Sequence, residues 1–241
     1  MAKSASSPEA VTNWALASLP RGEFQRLVPS PETVTLHLGD VLHEPGQRIP
    51  HVYFPCSGLV SLLSPADGGK LGEMAVVGKE GVVGLSVFLG NDVSPHQALV
   101  QGSGQALRMR ADLFRATARQ SERFTDLLLR YADAFLVLVS QSALCDRLHA
   151  VQKRFCRWLL LAQDRIDSER LPFTQKFMAQ ILAVREASVS EAASPLQRSG
   201  VIRYNRGDLR ILDRPRLEAS CCGCYRIIKD RFDGLRDGPG P

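Results

Sequence analysis

The sequence predicts an α+β fold: an N-terminal antiparallel β-roll, a long dimerisation helix and a C-terminal winged helix-turn-helix domain. Short strand-like runs separated by turn residues fill the N-terminal part, an apolar stripe at helical spacing follows from residue 121, and two short helical segments precede a hairpin pattern. Alternation with a period of two marks strands, whereas spacings of three and four mark helices. We therefore expect a sensory β-roll domain at residues 1–120, the dimerisation helix at 121–146 and the winged helix-turn-helix domain at 147–241.

The composition is that of an ordinary globular chain. Hydrophobic residues make up 44% of the 241 residues and charged residues 23%, which excludes a chain that is disordered throughout. No apolar run reaches the roughly 18–20 residues that span a bilayer, and the N-terminal segment lacks the apolar core of a signal peptide. We expect a cytoplasmic protein without a membrane partner. Because the chain has no nucleophile motif, P-loop or GxGxxG sequence, we do not expect an enzyme.

The positive charge is concentrated in the C-terminal part. Residues 1–150 hold 13 Lys and Arg against 14 Asp and Glu, a net charge of −1, whereas residues 151–241 hold 17 against 11, a net charge of +6. A basic half beside a neutral half indicates that a polyanion meets the C-terminal part. The alternative is a solvated basic surface with no partner.

The N-terminal strands are short and closely spaced. Val34, Leu36 and Leu38 alternate with polar residues, and Asp67-Gly68-Gly69 is a hairpin signal because Gly adopts positive φ readily. Further strand-like runs are residues 51–54, 58–63, 70–77, 97–101 and 106–110. Many short strands with turns between them predict a small antiparallel barrel or roll.

A long amphipathic helix follows the predicted roll. Its apolar stripe advances in steps of three and four residues, which is the spacing of a helix–helix seam. We expect a two-fold interface with a second copy of the chain at four positions of this stripe: Phe124, Leu127, Tyr131 and Leu138. The alternative is a helix wholly buried within its own subunit.

Residues 172–213 carry the pattern of a winged helix-turn-helix. Thr174 can cap a first helix, Ala183-Val184 is a tight turn, and Gly200 ends a second helix before a hairpin. The second helix of such a motif enters the DNA major groove. We expect base-edge contacts from Arg185, Glu186, Ser188, Ser190 and Glu191. We expect phosphate contacts from Thr174, Gln175, Lys176, Arg198, Arg203 and Arg206.

Five segments together resemble the Crp–Fnr family of bacterial transcription regulators, and the resemblance covers residues 14–235. They are HVYFPCSGLVS (51–61), GKEGVVGL (78–85), CDRLHAVQKR (145–154), LPFTQKFMAQILAVREASVS (171–190) and LQRSGVIRY (196–204). The resemblance implies a β-roll of the cyclic-nucleotide-binding type. It also implies a sequence-specific homodimer on a palindromic operator in double-stranded DNA, with RNA polymerase as a further candidate partner.

The chain departs from the family members that bind cyclic AMP. Those proteins hold the ribose with a Gly-Glu pair and the phosphate with an Arg-Ser/Thr pair, whereas Gly84 is followed here by Leu85 and the loop 91–98 has no Arg. A buried phosphate without a cation is poorly stabilised. We therefore do not expect cyclic AMP binding and predict no cofactor. Any effector pocket should be apolar and lined by Gly81, Val82, Gly84, Leu85 and Val87.

The recognition helix also departs from the family pattern. It carries Glu186, Ala187 and Glu191 where many members have Arg or another polar base reader. A Glu accepts a hydrogen bond from cytosine but repels phosphate. Pro195 is expected to kink or end this helix. These residues keep open an alternative function: a ligand- or redox-sensing module that acts through protein contacts and has a degenerate DNA-binding motif.

The cysteines do not form a recognisable metal motif. The oxygen-sensing branch of the family holds an iron–sulfur cluster with cysteines before the roll, and this chain has none before Cys56. Cys221, Cys222 and Cys224 could bind a metal or oxidise, but Cys-x-Cys differs from the Cys-x₂-Cys spacing of common zinc sites, and no second pair is visible. We therefore expect thiols packed on a helix and no metal site.

Overall fold

The computed structural model describes residues 12–20, 22, 24, 32–66, 71–166, 168, 170–205 and 207–236. The tail predicted at residues 1–10 and the hairpin turn at Asp67-Gly68-Gly69 lie outside these ranges. The helices are α1 (Trp14–Ala17), α2 (Ala111–Gln120), α3 (Glu122–Leu148), α4 (Val151–Ile166), α5 (Gln175–Ile181), α6 (Glu186–Arg198), α7 (Arg214–Ser220) and α8 (Cys224–Asp233). The strands are β1 (Glu32–Leu36), β2 (Val41–His43), β3 (His51–Pro55), β4 (Leu59–Pro65), β5 (Leu71–Val77), β6 (Gln97–Gly102), β7 (Gly104–Arg110), β8 (Arg170–Leu171), β9 (Ile202–Asn205) and β10 (Asp208–Ile211).

The predicted α+β architecture is confirmed, and strands β1–β7 form the roll from two antiparallel sheets. One sheet has the order β1-β7-β3 and the other the order β2-β6-β4-β5. The chain passes from one sheet to the other at Ser103, between β6 and β7. This crossing is tight, because a Cβ on Gly104 would lie 2.3 Å from the carbonyl oxygen of Ser57. Glycine is therefore required where the two sheets meet.

Helix α3 connects the roll to the C-terminal domain. It begins where the Ser121 side chain accepts a hydrogen bond from the backbone N–H of Phe124 at 3.1 Å, and it continues to Leu148, two residues beyond the predicted end. The helix is long and apolar enough to cross a membrane, but core helices of soluble proteins share these two properties. Helix α4 follows after only two residues, so the junction between the domains lies at His149 and Ala150.

The predicted dimer contacts on α3 require a correction. Phe124, Leu127, Tyr131 and Leu138 are each 4% exposed or less within a single chain. The Phe124 ring packs edge-on against Phe114 of α2 at 5.7 Å, and the Tyr131 hydroxyl donates to the carbonyl oxygen of Val82 at 3.3 Å. This face of α3 is thus covered by residues of its own chain, so a second chain cannot reach it.

The C-terminal domain has the predicted order of two short helices and a hairpin. Strand β8, which the sequence did not indicate, pairs with β10 and extends the hairpin to three strands. Pro195 neither ends α6 nor lies at its end, because the helix continues to Arg198. Proline removes one hydrogen bond, to the carbonyl of Glu191, and that residue is exposed to water. Gly200, with φ of +72°, ends the helix as expected.

Candidate DNA-binding surface, sensory cavity and interdomain contacts

Helix α5 is fixed to α4 by aromatic packing and by a capped N-terminus. The Thr174 hydroxyl accepts a hydrogen bond from the Phe177 N–H at 3.1 Å, which satisfies a free donor of the first turn. The Phe173 ring lies 4.9 Å from Trp158 of α4 and 5.0 Å from Phe177. These contacts give α6, the next helix, a rigid base.

The turn between α5 and α6 contains an alanine in the left-handed region. Ala183 has φ of +51°, and the Val184 N–H donates to the carbonyl of Ala179 at 2.9 Å. A left-handed residue reverses the chain within a few residues, so that α6 starts at Glu186, close to the end of α5. Ala179 is 6% exposed and its small side chain lets the two helices cross closely.

Helix α6 buries one face and exposes the other. Its buried face consists of Val189, Ala192, Ala193 and Leu196. Arg185, Glu186 and Glu191 are exposed, whereas Ser188 and Ser190 are half-buried. The Ser190 hydroxyl also donates to the carbonyl of Glu186 at 3.2 Å. All five predicted base-reading residues therefore lie near the start of α6.

The predicted phosphate contacts lie beside α6. Thr174, Gln175 and Lys176 are exposed at the start of α5, Arg198 is exposed at the end of α6, and Arg203 is exposed on β9. Arg206 lies outside the described residues.

Two contacts join these parts into one surface. A Cβ on Gly207 in the wing turn would lie 3.2 Å from the Thr174 methyl group, so the wing turn lies beside the start of α5. The Tyr204 N–H donates to the Gln197 side chain at 3.0 Å, which ties the wing to α6. Sequence reasoning did not identify Gln197 because this contact links two separate elements.

A cavity of about 620 Å³ lies between the roll and α3. Three of the predicted pocket residues line this cavity: Val82, Gly84 and Leu85. Helix α3 contributes Ala132, Asp133, Phe135, Leu136 and Val139, which the sequence could not assign to a pocket. The other lining residues are His43, Ile49, Leu62, Met74, Ser86, Leu89, Ser94, Pro95 and His96. Among the described lining residues, none is Lys or Arg.

Two predicted pocket residues lie elsewhere. A Cβ on Gly81 would come within 2.4 Å of the Tyr131 hydroxyl oxygen, so Gly81 allows α3 to approach the roll. Val87 is fully buried in the core. Both therefore support the packing of the roll and do not face the cavity.

The two histidines of the cavity favour their neutral forms. Burial lowers the pKa of His43, although its ring Nε2 is bonded to the carbonyl of His51 at 2.8 Å. Burial also lowers the pKa of His96, whose Nδ1 lies 3.0 Å from the Ser64 hydroxyl. With Asp133 on the wall, the described lining residues offer no fixed positive charge to an anion.

Two polar contacts connect the roll to α4. The Glu73 carboxylate on β5 accepts hydrogen bonds from the Ser61 hydroxyl and from the Trp158 indole N–H, both at 2.5 Å. Burial of this carboxylate raises the pKa of Glu73 to about 7. Nearby, Arg165 and Glu80 form an ion pair at 2.7 Å in which both side chains are 4% exposed. These contacts fix α4 against the roll.

The fold brings two of the C-terminal cysteines close to a second pair of side chains that can bind a metal, which the sequence did not reveal. The end of α3 meets the start of α8 in a group of four side chains. We call this group the junction cluster, and it consists of Cys145, His149, Cys222 and Cys224. Sequence reasoning found no second pair because Cys145 and Cys222 are 77 residues apart in the chain, and the expectation of thiols packed on a helix without a metal stays a prediction. The spacing of Cys145 and His149, one helical turn apart, was the available signal.

Comparisons with known proteins agree with this architecture. A model of the cyclic nucleotide-binding domain matches residues 33–121, and a model of the Crp-like helix-turn-helix domain matches residues 153–220. No curated protein matches the chain.

Solved structures resemble the whole chain. FixK2 from Bradyrhizobium japonicum is 14% identical, with a TM-score of 0.68 over 80% of this chain and 98% of that one. A Crp/Fnr regulator from Thermus thermophilus is 20% identical, with a TM-score of 0.63 over 78% and 97%. The c-di-GMP-responsive regulator CLP from Xanthomonas campestris is 14% identical, with a TM-score of 0.64 over 79% and 98%. At these identities the likeness shows the fold alone.

A β-roll sensor joined by a long helix to a winged helix-turn-helix defines a class of DNA-binding transcription regulators. The two domain matches occur here in that order, one on each side of α3. The chain belongs to the Crp–Fnr family.

Proposed function

We propose that the protein is a cytoplasmic homodimer that binds a palindromic operator in a sequence-specific manner and responds to an effector other than cyclic AMP. The observation that carries this proposal is the continuous surface around α6. Its base-facing residues lie between exposed cations at the start of α5 and on the wing. Such an arrangement suits a helix in the major groove with phosphate contacts on both sides.

The proposed dimer uses the outer face of α3. This face carries a second apolar stripe with steps of three and four residues: Leu129, Ala132, Leu136, Val139 and Ala143. Leu129 is 52% exposed and Leu136 is 65% exposed in the single chain, which is unusual for leucines in one stripe. Pairing two copies of α3 along this stripe would bury it and would bring two recognition helices together. Half-sites one helical turn apart, about 34 Å, require such a pair.

The proposed effector is neutral or largely apolar. The cavity is large enough for a small organic molecule, and most of its described lining is apolar. A cyclic phosphate would meet two neutral histidines and Asp133, which already engages Arg231 of α8, and no Lys or Arg is among the described lining residues. The same argument applies to c-di-GMP, which carries two phosphates.

The DNA assignment is tested by charge-removal variants. After operator selection from random DNA, Arg203→Ala and Lys176→Ala should each weaken binding to every sequence and reduce the slope of log K against log salt by about one. Arg119→Ala is the matched control, because it removes an exposed arginine from α2. If Arg119→Ala weakens binding as much as Arg203→Ala, the surface around α6 is not the interface.

Base reading is tested on the same operator. Glu186→Ala should change the preferred base at one position of each half-site, because Glu accepts a hydrogen bond from cytosine. Selection that returns no preferred sequence for the native protein would instead favour a sensor that acts through protein contacts. The exposed Glu186 and Glu191 are the observations that favour this second function.

The effector assignment is tested by thermal denaturation. A ligand that binds only the folded chain at a hundredfold excess over Kd stabilises it by about 2.7 kcal/mol, which shifts the melting temperature by several degrees. We expect no shift with millimolar cyclic AMP, cyclic GMP or c-di-GMP. A saturable shift at micromolar nucleotide would show that backbone N–H groups alone can hold the phosphate.

A further inference from the structure

The junction cluster brings four metal-binding atoms together where the two domains meet. Three sulfurs and the His149 ring nitrogen all lie within 4.8 Å of one another. The Cys145 and Cys222 sulfurs are 3.6 Å apart, and the Cys224 sulfur is 3.6 Å from His149 Nδ1. Cys145 and Cys224 are buried, and the other two members are half-buried. All six cysteines of the chain are free thiols, so none of these sulfurs is used in a disulfide.

We propose that the junction cluster is a structural Zn²⁺ site that fastens α8 to the end of α3. A zinc–sulfur distance of about 2.3 Å places two sulfurs of a tetrahedron about 3.8 Å apart. The Cys145 and Cys222 sulfurs, 3.6 Å apart, already have nearly this separation, and with all four atoms within 4.8 Å of one another no distance has to shorten by more than about 1 Å. Three thiolates and one imidazole form a closed set of four ligands, which is typical of a structural zinc site.

The backbone positions suit thiolate ligands. Cys145 lies in the last turn of α3 and His149 is its C-cap residue, whose backbone N–H donates to the carbonyl of Cys145 at 3.0 Å and so holds the two residues together. Cys224 is the first residue of α8, where the positive end of the helix dipole favours a negatively charged sulfur. The Gln141 side-chain amide donates to the Cys224 sulfur at 3.2 Å, a contact that orients this ligand.

One buried cation lies beside the metal ligands. Three thiolates and one Zn²⁺ carry a net charge of −1, and the guanidinium of Arg157, which also pairs with Asp146 at 3.4 Å, acts on Cys145 as a nearby positive charge. Arg157 is 5% exposed, and its Nε has no hydrogen-bond partner among the described residues. On binding, the three thiols release their protons to solvent, and His149 binds through Nδ1 as a neutral ring.

Such a metal would act on the geometry of the DNA-binding domain. The first pair of ligands ends α3, and the second pair begins α8, which packs on both α3 and α4. Zinc would therefore hold the two residues that separate α3 from α4 in one conformation. The site would set the position of the winged helix relative to the dimerisation helix.

The test uses the full chain purified with reductant and loaded with Zn²⁺ or Co²⁺. We expect one Zn²⁺ per chain by native mass spectrometry. We also expect intense d–d absorption and thiolate-to-cobalt charge-transfer bands after Co²⁺ loading, which report a tetrahedral site with sulfur ligands. Zinc loading should raise the melting temperature of the protein, because the metal binds only the folded chain.

Matched cysteine variants locate the site. Cys222→Ser and His149→Ala should each weaken Co²⁺ binding by about a hundredfold or more. Cys221→Ser is the control, because Cys221 is the neighbour of Cys222 and its sulfur points to the carbonyl of Lys153 at 3.9 Å. Equal losses in Cys221→Ser and Cys222→Ser would overturn the assignment.

Two results on the native chain would overturn the proposal without relying on any variant. One is a weak octahedral Co²⁺ spectrum. The other is a disulfide between Cys145 and Cys222 in protein prepared with reductant and zinc, since their sulfurs are close enough for a small movement to join them.

Discussion

The two faces of α3 have similar apolar periodicity but different environments. The inner face carries Phe124, Tyr131 and Leu138, and residues of the same chain cover all three almost completely. The outer face carries Leu129 and Leu136, which are more than half exposed. Spacing therefore shows that a helix has apolar faces but does not show which one meets its own subunit. The difference comes from the roll, whose residues lie far from α3 in the sequence.

The largest effect should come from the inner face. Leu138→Ala removes a side chain that is 1% exposed and leaves a cavity between α3 and its surroundings. We expect a loss of about 2–5 kcal/mol in the free energy of unfolding, measured by urea denaturation. A loss below about 1 kcal/mol, accompanied by dissociation of a dimer, would show that Leu138 lies in the subunit interface after all.

The outer face should control association with little effect on folding. Leu136→Glu would place two carboxylates in the proposed apolar seam and should weaken dimerisation about a hundredfold, or about 2.7 kcal/mol. Sedimentation should show monomers, circular dichroism should show that they remain folded, and operator binding should be lost. Leu38→Glu is the matched control, since Leu38 is 60% exposed in the roll. A Leu136→Glu protein that remains dimeric would exclude this face.

A smaller effect concerns the pH dependence of stability, which neither face of α3 should influence. Because the folded chain raises the pKa of Glu73 to about 7 from 4.5, it binds more protons than the unfolded chain between these values. The contribution of Glu73 to the free energy of unfolding is therefore complete below pH 4.5 and is lost as the pH rises from 4.5 through 7. Glu73→Gln keeps an acceptor for Trp158 and should flatten the fall in stability between pH 4.5 and 7, because the amide does not titrate.

Urea denaturation at several pH values measures this effect. Leu138→Ala is the reference, because it should lower stability equally at each pH. A Glu73→Gln protein with an unchanged pH profile would show that the carboxylate is well solvated.

The smallest effect should come from an exposed ion pair beside the outer stripe. Arg231 of α8 donates to the Asp133 carboxylate, and both side chains are about half exposed. Arg231→Ala should change the free energy of unfolding by about 0.5 kcal/mol or less, because water screens such pairs. A larger loss in chemical denaturation would indicate that α8 is held to α3 chiefly by this contact.

Most of the fold could be read from the sequence because its signals are local. Alternation, turn glycines and capping residues lie within a few residues of one another, and they located the strands, the wing and the three helices α3, α5 and α6. Pro195 does not end α6, one of its two expected effects, and the carbonyl that it leaves without a donor belongs to Glu191, which is exposed to water.

The sites were harder to predict because they join distant segments. The cavity takes Leu85 from the roll and Val139 from α3, and the junction cluster joins Cys145 to Cys222. Only the folded chain brings these pairs together. The base-reading residues were easier, since all five occur within seven consecutive positions, and their roles remain predictions.

Three residues of α3, Ala132, Leu136 and Val139, belong both to the cavity wall and to the outer stripe. If two chains pair along that stripe, each partner completes or reshapes the opening of the other's cavity. Thermodynamic reciprocity then requires that a ligand which favours the pair also binds more tightly once the pair has formed. The apparent affinity for an effector would thus depend on protein concentration, and titrations at nanomolar and micromolar chain would give different dissociation constants. In a cell, the number of copies of the chain would set its sensitivity to the signal.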